Sequence, residues 1–416
     1  FSNGVAGTNS AEIVAYDSMS QRLYIANSIG AKLNIVSFEN PANPVMLYSI
    51  NISTYGNINS VAVKNGLVAL AIENTSPQQN GYVVFLDSNG NFLHQVNAGA
   101  MPDMITFNHA GTKVYTANEG EPNTAYTVDP EGTITVVDLS LGVLNATSSQ
   151  INFSALDGQE VALRAQGIRI FGPGASVSQD MEPEYITIAD DDSKAWVSLQ
   201  ENNAMAEINL NTNTITAVYP LGFKNYNQAE NSFDASNTTL GINLAQYPVK
   251  GMYLPDAIAQ FTTGGNTYIF SANEGDAREY AGFSEIKRVN AANYLLDNTI
   301  FPQATEMKNN SLLGRLNITS TLGDTDNDGD FDEIYTFGAR SFSVWQANAG
   351  LSQVYDSKNE LELITENHPI YGSMFNASNG VGITVKDRSD DKGPEPEGIA
   401  IGTINSTPYV FIALER

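Results

Sequence analysis

Aspartates stand at alternate positions in one short stretch: Asp324, Asp326, Asp328, Asp330 and Asp332, with Gly329 inside the run and Glu333 after it. Acids alternating around a glycine turn bring their oxygens toward one point. Ca2+ takes six to eight hard oxygen ligands in a flexible shell, which such a loop supplies. The expected ligands are therefore Asp324, Asp326, Asp328, Asp330, Asp332 and Glu333. The twelfth position is Tyr335, where an EF-hand has its bidentate Glu. Residues 333–337 and 341–345 also read as strands, so this is a Ca2+ loop set in β-structure. Mg2+ suits it less well, because that ion retains its waters.

A second set of acids recurs with a phrase: Pro102-Asp103-Met104-Ile105, Pro183-Glu184-Tyr185-Ile186, Pro255-Asp256-Ala257-Ile258 and Pro396-Glu397-Gly398-Ile399. Weaker copies begin at Glu12 and Asn59. Each leads, through a short turn, to a β-rich run ending polar, usually at an acid: Glu73, Glu119, Glu201, Glu274 and Glu415. The two strands of a hairpin are antiparallel, so the end of the second lies beside the start of the first. Units circling an axis would then gather Glu12, Asp103, Glu184, Asp256 and Glu397 with the second set at one rim. So many carboxylates cannot stay ionised together without positive partners. The expected second metal site draws on Glu119, Glu184, Asp256, Glu274, Glu397 and Glu415. Arg278, Arg340, Arg388 and Arg416 are the basic groups that could share the task.

The elements behind these acids are strands. Anchors at 12, 60, 103, 184, 256 and 397 suggest a unit of about 40–50 residues, the length of one four-stranded propeller blade. The longer gaps fit a blade plus an insertion, and the last fits two blades, which makes seven. Period-2 alternation dominates. Asn89-Gly90 between apolar runs marks a hairpin. Helix is expected only in short pieces, such as residues 291–296. The reading is all-β: a single seven-bladed β-propeller over residues 1–416, with insertions at about 141–180 and 221–250. The last blade ends at its second strand, so it is expected to be truncated, with native sequence continuing past Arg416.

Composition narrows the function classes. The chain has 416 residues, 46 acids against 20 bases and a net charge of −26. Nucleic acid needs a basic footprint, so it is excluded as a partner. Cation binding suits the charge. There are no cysteines, which removes disulfides, thiolate nucleophiles and thiolate metal sites. No apolar run is long enough to span a membrane. His94, His109 and His368 have no Gly-x-Ser-x-Gly elbow to serve and read as structural. Sequons occur at Asn51, Asn74, Asn145, Asn152, Asn237, Asn309, Asn317, Asn376 and Asn405, candidates for glycosylation in a secretory host.

Three stretches resemble the choice-of-anchor I family: residues 273–280, residues 326–343 and Gly393-Pro394-Glu395-Pro396-Glu397-Gly398. The likeness covers nearly the whole chain. That family groups secreted bacterial proteins with mesenchyme-specific cell-surface glycoproteins of biomineralising animals. The resemblance implies a β-propeller held at the cell surface or released. Some members are described as alkaline phosphatase-like, and the plan is similar to β-propeller phytases, which use Ca2+. Two functions are thus expected. One is a calcium-binding protein of adhesion, extracellular assembly or mineral handling, with a matrix or surface polymer as partner. The alternative is a calcium-dependent phosphomonoesterase acting on a phosphate ester. In it, Ca2+ held by Glu184, Asp256, Glu274 and Glu397 would activate water while Arg278 and Arg340 clamp phosphate oxygens.

Overall fold

The computed structural model describes residues 11, 13–379 and 384–416. Glu12 and most of the segment before it lie outside the described residues. The chain forms two compact units. One holds the described residues up to 165 together with Gly172–Leu199 and Met205–Val218; the other holds Gln166–Phe171, Gln200–Ala204 and Tyr219–Arg416.

The first unit is built from antiparallel sheets of four strands, each wound in chain order. The first runs Val14–Asp17, Arg22–Asn27, Lys32–Ser37 and Val45–Asn51. The second runs Asn57–Lys64, Leu67–Glu73, Asn80–Leu86 and Phe92–Ala100. The third runs Pro102–Phe107, Lys113–Asn118, Thr133–Asp138 and Thr147–Asn152. The fourth runs Pro183–Ile188, Lys194–Leu199, Ala204–Asn209 and Thr214–Pro220.

Alternation decides how these sheets stack. Along Leu67–Glu73 the side chains of Val68, Leu70 and Ile72 join Tyr24, Leu33 and Ile35 of the first sheet. The intervening Ala69 and Ala71 face the other way, toward Ile105, Val114 and Val137 of the third. A strand buried on both faces reads as a continuous apolar run, which is how this one reads. Each large side chain so buried contributes about 1.5–3 kcal/mol.

The second unit contains a fifth four-stranded sheet: Ile258–Thr263, Asn266–Asn273, Ser341–Gln346 and Ser352–Asp356. Residues 274–340 separate its second and third strands. They do not form a further four-stranded meander. Instead, Ile286–Arg288, Asn317–Thr319 and Tyr335–Thr336 join Phe223–Asn225 and Lys250–Met252 in a five-stranded sheet. That sheet carries one parallel pair, Lys250–Met252 against Tyr335–Thr336. Its core includes Tyr226, Phe233, Tyr294, Leu313 and Ile318. The 141-residue spacing between Asp256 and Glu397 therefore spans one long insertion within a blade-like sheet. A final hairpin, Pro396–Ile404 with Thr407–Leu414, completes the strands.

The all-β, blade-by-blade expectation holds: the fold is of β-propeller type. Two local expectations change. Residues 291–296 are turn and bridge rather than helix; the longest helix among the described residues is Glu360–Asn367. The stretch 141–180 includes the outer strand of the third sheet, Thr147–Asn152, between a 3-10 turn at Val143–Asn145 and the short helices Glu160–Ala165 and Val177–Asp180. No helix among the described residues is long and apolar enough to cross a membrane.

Candidate metal centres

The Pro-acid phrase is a β-bulge. Pro102 pairs with Asn118 and Ile105 with Thr116, so Asp103 and Met104 together face a single residue. Glu184 and Tyr185 do the same between Pro183 and Ile186. Glu397 is the extra residue between Pro396 and Gly398. Ala272 bonds both the Asp256 N–H and the Ala257 carbonyl, the same two-against-one arrangement. Proline opens the strand because it has no N–H to give the ladder, and the bulge then re-aims the acid. Asn59 holds the equivalent place in the second sheet, and its amide donates to the Pro102 carbonyl at 3.3 Å.

The acids that end the second strands are held by a different device. In the third sheet, the Thr116 hydroxyl donates to Asn118 Oδ1 (2.7 Å), and Asn118 Nδ2 donates to Thr135 Oγ1 (2.9 Å). The fifth sheet repeats it: Ser271 Oγ to Asn273 Oδ1 (2.8 Å), and Asn273 Nδ2 to Ser343 Oγ (2.9 Å). Both asparagines are fully buried, so their satisfied amides fix the chain just before Glu119 and Glu274. Gly120 and Gly275 follow at φ +69° and +92°, and a Cβ on Gly275 would sit 2.2 Å from the Gly338 nitrogen. The sequence carries a sign of this lock that the strand reading passes over: the repeated phrase Thr116-Ala117-Asn118-Glu119-Gly120 and Ser271-Ala272-Asn273-Glu274-Gly275.

Two clusters result. In the first unit, Asp103, Glu119 and Glu184 each bring a carboxylate oxygen within 4.8 Å of the others. In the second, Glu274 and Glu415 meet Glu395, which the sequence reading does not include. Asp256 and Glu397 belong to neither set among the described residues.

The second cluster carries its own cations. Lys392 Nζ lies 3.0 Å from Glu274, 3.2 Å from Asp276 and 3.8 Å from Glu395. Arg388 Nε pairs with Glu395 at 2.8 Å, and Arg416 Nη1 with Glu415 at 2.9 Å. The other oxygen of Glu274 accepts from Gln200 Nε2 at 2.9 Å. These carboxylates hold Lys392 above its ordinary range despite its burial. Glu415 borders an apolar cavity of about 600 Å3 walled by Ile364, Met374, Ile412 and Leu414. Partial burial first, and then Glu395, Glu397 and Glu274, push its carboxyl up to about 7 against the pull of Arg416.

The aspartate loop is organised as two overlapping sets. Asp324, Asp326 and Asp332 form one, and Asp297, Asp330 and Asp332 the other. Asp297 lies far upstream in the chain, and no local pattern announces it. Asp324 Oδ1 accepts from the Asn327 N–H (2.7 Å), and Asp332 Oδ2 from the Thr325 N–H (2.8 Å). Loss of hydration and the facing carboxylates, Asp328 foremost, raise the pKa of both Asp326 and Asp330. Two expected ligands fall outside these two sets. Asp328 joins neither set, and its Oδ1 accepts from the Asp330 N–H at 3.1 Å. Glu333 pairs with Lys250 at 2.6 Å and accepts from the Tyr335 hydroxyl. Burial alone would raise Glu333, but those two bonds outweigh it and hold it low. The donors that remain are hard carboxylate oxygens, which fit Ca2+.

The arginines expected to clamp phosphate are buried, at 2% exposure each. Arg340 is spent on Glu362 (2.9 Å), the Asp234 carbonyl (3.1 Å) and the carbonyls of Ser389 (2.8 Å) and Asp391 (2.7 Å). Arg278 stacks on Phe171 with its guanidinium carbon 4.4 Å from the ring centre. Neither can reach a dissolved substrate. Two of the sequon asparagines are buried as well: Asn317 and Asn376 are 7% and 1% exposed, and their amides donate to Asp391 and Glu362. His109 contacts Asp192 at 3.0 Å, and His368 Nδ1 accepts from the N–H groups of Ile370 and Tyr371, which are structural roles.

Gigasin-3a of Magallana gigas is 31% identical over 115 residues, 26% of this chain and 39% of that protein. A mesenchyme-specific cell surface glycoprotein of Strongylocentrotus purpuratus is 25% identical over 306 residues, 64% of this chain and 39% of that protein. The chain thus spans about two-fifths of the length of these relatives. Among solved structures, the β-propeller domain of Cps50 (Swd1) from Myceliophteria thermophila aligns over 83% of this chain and 86% of its own, at 10% identity and a TM-score of 0.38. Residues 12–416 match the Choice-of-anchor I domain, and the chain belongs to that family.

Proposed function

We propose that this chain is a calcium-binding β-propeller of the cell surface or extracellular space, serving adhesion, extracellular assembly or mineral handling. The observation that carries the calcium reading is Asp332, shared between the Asp324–Asp326 and Asp297–Asp330 pairs. Asp324, Asp326, Asp330, Asp332 and Asp297 would hold the ion. It would supply the positive charge that relieves Asp326 and Asp330, both pushed toward protonation. The surface location is supported by family membership and by the sea-urchin relative, a cell surface glycoprotein by name. The phosphomonoesterase alternative gains no support, because Arg278 and Arg340 are buried.

Calorimetric titration of the chelator-stripped protein with Ca2+ tests this. Saturable binding is expected, with a rise in melting temperature, since a ligand that binds only the native state stabilises it. Mg2+ should do much less. Absence of both heat and stabilisation would sink the reading.

A further inference from the structure

The first unit contains a cleft of about 260 Å3 beside the loop that joins its first two sheets. This is just below the size of drug-sized sites and suits one ring-sized ligand. Tyr55 and Tyr82 line it, and both rings pack against the core shared by those sheets. Tyr55 also lies nearly flat on Phe92, with centroids 5.5 Å apart and planes at 9°. The aromatic walls are therefore in place before any ligand arrives, which lowers the cost of ordering them.

The loop is drawn down by Gly56, at φ +138°, where a Cβ would sit 2.1 Å from the Glu73 carbonyl oxygen. Opposite, Asn74 is fixed by its amide, which donates to the Asn80 carbonyl (3.0 Å) and accepts from the Ser76 N–H (2.9 Å). Gln95 closes the site from the outer strand of the second sheet. Among the described residues, the Gln95 amide and the hydroxyls of Ser53, Thr75 and Tyr82 have no hydrogen-bond partner.

No lining residue is charged, although the chain carries −26 overall. A cation would find no carboxylate here. An anion would find no base and would meet the field of the whole molecule. An apolar ligand would strip water from the hydroxyls and the amide without replacing its bonds. Groups that both donate and accept are matched by a ligand that does the same on every edge while offering a C–H face to tyrosine. We propose that this cleft binds a neutral pyranose unit. The proposal is independent of the calcium reading.

Saturation-transfer NMR on the full chain tests it, with methyl glycosides of glucose, galactose, mannose and N-acetylglucosamine as probes and chelator present throughout. At least one should bind saturably, and methyl glucuronide, being anionic, should bind less well. Gln95→Ala removes an exposed amide, and Tyr82→Phe removes only a hydroxyl, so neither should alter the melting curve. Loss of about three- to tenfold in affinity in either variant supports the site, the range of one net hydrogen bond. Failure of all four glycosides to saturate, or affinity indifferent to both substitutions, overturns it.

Discussion

Asp103 and Glu184 open the first strands of successive sheets, 81 positions apart in the chain, and still bring carboxylate oxygens within 4.8 Å of each other and of Glu119. Two bulges aim them and a buried asparagine lock sets the third. Like charges at that range repel, and a bound cation would offset the repulsion. Asp103→Asn should therefore lower the Ca2+-dependent part of the stability, because it removes one of the three converging carboxylates. Denaturant unfolding in an Asp332→Asn background separates this site from the aspartate loop. An Asp103→Asn effect of the same size with and without Ca2+ would show that this cluster holds no ion.

Asp332 and Asp328 stand four residues apart in one loop but differ in reach. Asp332→Asn removes an oxygen from both sets and should abolish most of the calcium-dependent rise in melting temperature. That rise corresponds to about 2.7 kcal/mol at a hundredfold excess over Kd. Asp328→Asn should keep most of it, because that carboxylate joins neither set. Equal loss in the two variants, read by scanning fluorimetry across a Ca2+ series, would contradict the shared-ligand geometry.

Arg340 and Glu362 form an ion pair with both side chains almost fully enclosed, 2% and 1% exposed. Removing one partner strands the other, and such losses run to about 3–5 kcal/mol. Arg340→Ala is expected in that range by urea unfolding. Arg340→Lys should recover little, because a single ammonium cannot serve Glu362 and three carbonyls together. A near-neutral Arg340→Ala would show that the buried pair contributes no net stability.

Glu415 carries a pH signature. Its carboxyl is pushed from an ordinary 4.5 up to about 7 in the folded chain. Between those values the folded state holds more protons than the unfolded one, so stability falls as pH rises through the window. Above about 7 the penalty is fully present. Glu415→Gln should therefore be more stable than wild type at pH 8, by about 1 kcal/mol after discounting for its partial exposure and the lost Arg416 contact. The gap should close near pH 4.5. A gap that persists in acid would point to packing instead of charge.

The strands and the acids that end them were legible because both obey local rules. Period-2 alternation marks Leu67–Glu73 as a strand with two apolar faces, and proline before an acid marks a strand start that cannot complete its ladder. The failures are equally physical. Residues 291–296 have helical composition, but Tyr294 is claimed by a core in which it stacks on Phe331 with ring centres 4.1 Å apart. The same folding takes Asn376 out of reach and turns Glu333 toward Lys250.

Taken alone, the order of residues determined that this chain builds antiparallel β-units and spaces carboxylate oxygens along a glycine turn, since those features depend on neighbours within a few positions. Only the tertiary structure decided which acids meet, that Lys392 supplies the charge for one group of them, that Asp297 joins the aspartate loop, and that Arg278 and Arg340 are enclosed. Those outcomes depend on how sheets stack and where insertions return, and side chains far apart in the chain carry no local sign of sharing one space.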